Sequence, residues 1–292
     1  VAARPRSPLP LLVLLGLSLL LGSLAASSDR NTSGGSARSV VAAEPRSSTV
    51  RPVGVPGRWR LVFRDEFRGT RLDRDKWRPN WLAGSDREVT KPVNSAEIAA
   101  YHPRQVRVAR GKLHLRAVRR DTVDNRGRKY RYASGLVQSF HDYQFRYGYA
   151  EARIFLRANT DPSLGDVGSC GPNWPAFWLN GKQHPEDGEI DIMECLGDSV
   201  AWHYHWAGGS AGGYPDRWDG RMPGGGGWHT FGADWRPGRV TFYYDGRKVG
   251  RHKTGVTGSR HYIILNNGLS RPERRLPATL KVDYVRVWKS KP

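Results

Sequence analysis

The sequence predicts an all-β fold of the two-sheet sandwich or jelly-roll kind. Three observations carry that reading. Short apolar or alternating runs recur from Arg58 onward, and turn residues punctuate them, with 34 Gly and 19 Pro in 292 residues. No long stretch shows helical spacing, and no βα alternation appears. Taken in order, the runs are "WRLVF" (Trp59–Phe63), "KLHLRAV" (Lys112–Val118), "YGYAEARIFL" (Tyr147–Leu156) and "RVTFYY" (Arg239–Tyr244). "HYIIL" (His261–Leu265) and "LKVDYVRVW" (Leu280–Trp288) follow. All fit half-buried or fully buried strands. Asp245-Gly246 after "RVTFYY" is a two-residue hairpin signal, because a type I′ turn needs positive φ at both central residues.

Ahead of the folded part, Arg4 and Arg6 precede the apolar run Leu11–Leu21 and then the small residues "GSLAAS". This is the pattern of a secretory signal peptide, expected over residues 1–26. The apolar core is shorter than the roughly 20 residues a membrane span needs. Residues 27–57 are rich in Ser, Gly, Arg and Pro without periodicity and read as a disordered linker. Residues 58–292 then form one domain, expected to be an exported, extracellular monomer with no membrane contact once the leader is removed.

The net charge is +20. Six arginines against Asp29 and Glu44 leave +4 on residues 1–57, so residues 58–292 keep +16. Such a charge favours anionic partners. Nucleic acid is not the expected one, since no basic run interleaved with aromatics and no helix-turn-helix or zinc-finger spacing is present. Cys170 and Cys195 are too few for a disulfide framework. They either pair, worth roughly 3 kcal/mol in the chain-entropy model, or remain two buried thiols.

The chemistry concentrates in "GEIDIMECLG", Gly188–Gly197. Glu189 and Asp191 share a face of a regular strand, while Glu194 points away. Three acids amid Ile190, Ile192 and Met193 are costly unless they are used. Carboxylates for glycoside hydrolysis must meet, so a β-bulge at Ile192–Met193 is expected to bring Glu194 round to the face of the other two. Tryptophans cluster nearby, with Trp174 and Trp178 in "NWPAFWLNG" and Trp202 and Trp206 in "WHYHW". Trp218, Trp228 and Trp235 follow in a Gly-rich stretch; about half of all these serve packing, and the rest offer flat faces to sugar rings. His203 and His205 also have a metal-ligand spacing but lack an evident third ligand.

"GEIDIME" resembles the active-site signature of family 16 glycoside hydrolases, in the laminarinase-like branch with the additional Met. "WRLVFRDEF" (Trp59–Phe67), "NSAEIAAY" (Asn94–Tyr101) and "ASGLVQS" (Ala133–Ser139) resemble earlier landmarks of that family. "YGYAEARI", "WPAFWLNG", "WHTFGADW" (Trp228–Trp235) and "VDYVRVW" (Val282–Trp288) resemble later ones, in the same order. The resemblance implies a jelly roll with a concave cleft for a linear β-linked polysaccharide and a retaining endo-glycanase acting on β-1,3- or mixed β-1,3-1,4-glucan. It implies Glu189 as nucleophile, Glu194 as acid/base and Asp191 as their assistant. It further implies sugar contacts from Asn94, Glu97, Arg153, Trp174, Trp178 and His205. No cofactor is needed for the chemistry, but a structural calcium is implied at Asp283 with oxygens from near Gly111 and Glu66. Two departures, His184-Pro185 before the acid motif and "LNNGLS" (Leu265–Ser270), fall where subsites next to the cut are shaped. Other substrates remain open on this reading: a galactan, an acidic wall polysaccharide, transfer to a sugar hydroxyl, or binding of a glycan without cleavage.

Overall fold

The computed structural model describes residues 50–157, 173–196, 199–213, 226–270 and 276–291. The expected signal peptide and most of the expected linker, like Cys170, lie outside them. Within them, the alternating runs become strands β1 (Trp59–Asp65), β2 (Ala99–Tyr101), β3 (Val106–Ala109), β4 (Lys112–Val123), β5 (Lys129–Ser134) and β6 (Leu136–Gln138). Then come β7 (Gln144–Phe145), β8 (Gly148–Leu156), β9 (Asn173–Gly181), β10 (Glu189–Leu196), β11 (Ser199–Trp206) and β12 (Gly209–Gly213). Last are β13 (Gly227–Arg236), β14 (Arg239–Tyr244), β15 (Arg247–His252), β16 (His261–Leu269) and β17 (Ala278–Ser290). The described helical content is one 3-10 turn, Pro103–Gln105.

These strands build two sheets, as predicted. A ten-stranded sheet runs β15-β14-β13-β8-β17-β4-β5-β2, with β1 added on β17 and β3 on β4. A seven-stranded sheet runs β12-β11-β10-β9-β16-β6, with β7 added on β16. The inward-facing side chains of both interleave in one core that includes Leu113, Ile154, Phe177, Ile190, Phe231 and Val285. Asp245 (φ 46°) and Gly246 (φ 74°) form the predicted tight turn between β14 and β15.

The structured chain begins earlier than the sequence predicts. Val53 N–H donates to Glu151 Oε2 at 3.0 Å, and Trp288 Nε1 donates to the Val50 carbonyl at 2.8 Å. Residues 50–57 therefore belong to the domain rather than to the linker, with Val55 packed on Tyr149 and Trp288. They cover one end of the outer face of the ten-stranded sheet, where Tyr149, Glu151 and Trp288 are buried. The outer face of the seven-stranded sheet is instead open enough to form a cleft.

Candidate active site

The acid motif starts where Gly188 (φ 84°) enters β10, and a Cβ there would come within 2.7 Å of the Tyr204 hydroxyl, so glycine is required. Along β10, Glu189 opposes Asn180, Asp191 opposes Trp178, and Glu194 opposes Ala176 on β9. The partners step by two, so all three carboxylates lie on one face. This is possible because the register slips between Asp191 and Met193, which is the bulge the sequence predicts. Both Ile192 and Met193 are then fully buried. On the other side, β11 sets His205 against Glu189 and His203 against Asp191.

The cleft above these acids has a volume of about 530 Å³. Asn94, Glu97, Trp174, Trp178 and His205, the residues the resemblance implies as sugar contacts, line it. So do His184 and Asn266, from the two departures expected to shape subsites, and Trp81, Asn180 and His203, which sequence reasoning did not assign to sugar. Trp178 stacks on Trp81 with ring centroids 5.7 Å apart, and its Nε1 donates to Asn266 Oδ1 at 2.8 Å. Asn266 in turn donates to the Tyr101 hydroxyl at 3.0 Å, and Tyr101 donates to Glu97. A chain of polar contacts thus runs along one wall of the cleft, beneath an aromatic floor. Burial pushes the Glu97 carboxyl up to about 7, against the bonds from Tyr101 and the Asn94 and Val93 backbone.

Glu194 is held at both oxygens: Trp174 Nε1 donates to Oε1 at 2.8 Å, and His203 Nδ1 lies 2.8 Å from Oε2. His205 Nε2 is 3.1 Å from Asp191 Oδ2, and His184 Nε2 is 3.4 Å from Glu189 Oε2. No Lys or Arg lines the cleft among the described residues. Burial, then repulsion from Asp191, pushes the Glu189 carboxyl up to about 9, against the pull of His205. Asp191, only 4 % exposed, is also pushed up, by burial and then by Glu194. The Glu189–Asp191 pair therefore keeps a proton at neutral pH. The sequence places His203 beside His205 by parity alone, but its contact with Glu194 depends on the bulge and on pairing with β11.

The His/carboxylate clusters Glu189–Asp191–His205 and Asp191–Glu194–His203 each bring three potential ligand atoms within 4.8 Å of one another. Each cluster holds one histidine and two carboxylates, so the two histidines fall in separate groups rather than forming one His203–His205 pair with a third ligand.

Two expectations place residues elsewhere. Arg153 is on β8 in the ten-stranded sheet, away from the cleft, and its Nη1 donates to Asp283 Oδ2 at 2.8 Å. The parity of β8 sends Ile154 into the core and Arg153 outward, so it contacts no sugar bound in the cleft. The implied calcium set does not fit either. Asp283 is taken by Arg153 and by Lys112 at 3.2 Å, and Glu66 is gripped by Arg286 through two 2.8 Å bonds. Cations of the protein already neutralise the two carboxylates of that set. Gly111 sits in the β3–β4 turn, with φ of 68°. Cys195 is disulfide-bonded, which resolves the choice the sequence leaves open for that residue.

A β-sandwich with carboxylates gathered on one strand face, under a tryptophan-floored cleft, defines a glycoside-hydrolase type of protein. The chain belongs to the glycosyl hydrolases family 16, whose model matches residues 95–262. It is 27% identical over 277 residues to glucan endo-1,3-beta-glucosidase A1 of Niallia circulans, a match covering 78% of this chain and 38% of that protein. It is 29% identical over 200 residues to a beta-glucanase of Acetivibrio thermocellus, covering 64% of this chain and 54% of the relative. The chain thus spans about half or less of the length of these curated relatives. In structure it resembles the catalytic domain of an endo-1,3-beta-glucanase (laminarinase) from Thermotoga petrophila, with a TM-score of 0.66 and 23% identity. That match covers 81% of this chain and all of the other, and it shows the jelly-roll fold.

Proposed function

We propose that the protein is a retaining endo-β-glucanase cleaving β-1,3- or mixed β-1,3-1,4-glucan. The observation that carries the proposal is the bulged β10, which puts Glu189, Asp191 and Glu194 on one face under the cleft. The names of the relatives support β-glucan as the substrate. A glucan chain lies along the aromatic floor with its scissile bond over Glu189 and Glu194. With the shared proton on Asp191, Glu189 is anionic and attacks the anomeric carbon. Glu194 acts as the general acid that protonates the leaving oxygen. Once the leaving sugar departs, Glu194 takes a proton from water, and the water hydrolyses the glycosyl-enzyme with a second inversion. Trp174 and His203 hold Glu194 so that its reactive oxygen stays aimed at the bond. The leader expected over residues 1–26 makes this an exported enzyme.

The test is a reducing-sugar assay on laminarin, lichenan, curdlan, agarose and xylan, with NMR of the first-formed product. Cleavage of laminarin or lichenan to β-configured oligosaccharides is the expected result. Exclusive action on a non-glucan would overturn the substrate, and an α product would overturn the double displacement.

A further inference from the structure

The side of the molecule opposite the cleft carries a second organised surface. On β4, β8 and β17, Leu113, Leu115, Ile154, Leu280 and Val282 face the core, and the residues between them face out. Strand pairing lines these outward positions into a row across five strands. Trp228 opposes Phe155, Phe155 opposes Lys281, Lys281 opposes His114, and His114 opposes Arg107. Arg116, opposite Thr279, and Arg153, opposite Thr230, extend the patch on either side of that row. Among the described residues of this patch the one carboxylate is Asp283, between Lys112 and Arg153. Five Lys and Arg side chains therefore meet a single acid.

The aromatic rings organise these cations. Lys112 Nζ lies 5.1 Å and the Arg153 guanidinium carbon 5.3 Å from the Trp228 ring centroid, while Lys281 Nζ lies 5.2 Å from that of Phe155. Cation–π contacts of this kind hold the long side chains in place. A ligand then meets charges that have already lost much of their rotamer freedom. Along the row, Lys281 and Arg107 flank His114 and so lie two strands, or about 10 Å, apart across the sheet. That spacing is close to the length of two sugar units.

We propose that this face binds a linear polyuronate, a polysaccharide carrying a carboxylate on successive units, so that one sheet holds the protein on a charged matrix while the other keeps its cleft free. Arginine forks match carboxylates in bidentate geometry, and Arg107 and Arg116 are exposed for it. Nucleic acid fits less well. The rings are committed to cations rather than free to stack on bases, and a sheet face presents no helix or ribbon to enter a groove. The surface also gives the +16 of residues 58–292 a local expression that the acid cleft cannot use.

The experiment is titration of the full chain with sodium polygalacturonate at about 0.15 M salt, with laminarin and duplex DNA as comparison ligands. The triple variant Arg107→Gln/Arg116→Gln/Lys281→Gln is expected to bind polygalacturonate at least about tenfold more weakly. Its circular dichroism and its rate on soluble β-glucan should match those of the unmodified chain. A triple of equal charge on the β4–β5 hairpin, Arg120→Gln/Arg126→Gln/Arg131→Gln, should change binding less than about twofold. Absence of saturable binding overturns the proposal, as does equal weakening by both triples, which would mean diffuse charge. Tighter binding of DNA through the same three residues overturns the choice of ligand. None of these failures touches the reading of the cleft, which uses other residues.

Discussion

Two groups of carboxylates, one on each outer face of the sandwich, are treated in opposite ways. On the ten-stranded sheet, Asp283 lies between Arg153 and Lys112, and Glu66 is held by Arg286. On the seven-stranded sheet, Glu189, Asp191 and Glu194 meet only one another, three histidines and Trp174 among the described residues. The chain has 47 Lys and Arg to 27 Asp and Glu, so chance alone would leave a cation near most acids. Their exclusion from the cleft is thus a property of this site rather than a shortage. It has a direct electrostatic result. Partial burial opposes ionisation of Asp283, but hydrogen bonds from Arg153 and Lys112 outweigh it and hold the carboxyl below its ordinary value. Glu189 and Asp191 go the other way. Acids paired with cations ionise readily, and the Glu189–Asp191 pair, which meets no Lys or Arg among the described residues, keeps a proton.

The largest effect that would break this comparison is catalytic. Glu189→Gln and Glu194→Gln should each lower kcat by about a thousandfold or more, or about 4 kcal/mol of barrier, with unchanged circular dichroism. Asp283→Asn should leave kcat within about twofold. Near-normal turnover by either Gln variant, or a crippled Asp283→Asn, would dissolve the distinction between the faces. His203 comes next, as a positioning residue. His203→Ala should cost roughly ten- to a hundredfold in kcat with little change in KM. His203→Asn, which keeps a nitrogen near the Nδ1 position, should restore most of it. The groups facing His203 are Glu194 and, with ring centroids 5.9 Å apart, His205. If the imidazole merely packs, Ala and Asn will behave alike and the pH–rate profile will keep its shape.

The sequence makes the cleft more legible than the opposite face, for a physical reason. Glu189, Asp191 and Glu194 are local: their parity and the bulge at Ile192–Met193 follow from ten consecutive residues. Trp174 and Trp178 share a parity on the adjoining strand and follow almost as directly. Arg153 fails because "YGYAEARI" gives its parity but not which sheet β8 joins. That is decided by pairing with β13 and β17, where the partners of Arg153, Thr230 and Tyr284, lie 77 and 131 positions away. The implied calcium site fails similarly, since nothing near Asp283 in sequence announces Lys112 or Arg153. The role of His203 needed the β10–β11 register, and the ordering of residues 50–57 needed Glu151 and Trp288. Short-range chemistry is readable, and long-range partners are not.

Stability against pH sharpens the comparison further, with smaller effects. A carboxyl whose folded value is raised binds its proton more tightly in the native state. Between the unfolded value and the folded one, the native state therefore holds more protons, and stability falls as pH rises. For Glu189 that window runs from about 4.5 to about 9. Glu189→Gln removes the ionisable group and should stabilise the inactive protein by about 1–2 kcal/mol at pH 8. Thermal melts should show the gain shrinking to nothing as pH approaches 4. A gain independent of pH would mean that packing, not the proton, is responsible.

Asp283 has the opposite sign and the smallest effect. Its folded value is depressed, so its contribution is fully present above the unfolded value of about 3.9 and is lost as pH falls through the lower, folded one. Asp283→Asn should therefore destabilise the protein at pH 7 and make no difference near pH 2. The carboxylate is about a quarter exposed and its partners more so, which screens the pair and limits the loss to about 0.5–1 kcal/mol. Removing the acid also leaves Lys112 and Arg153 without their counter-charge beneath the basic row. Binding of polygalacturonate should then strengthen slightly even as the fold weakens. A variant that lost both stability and polyanion affinity would show that Asp283 orders the cations more than it neutralises them.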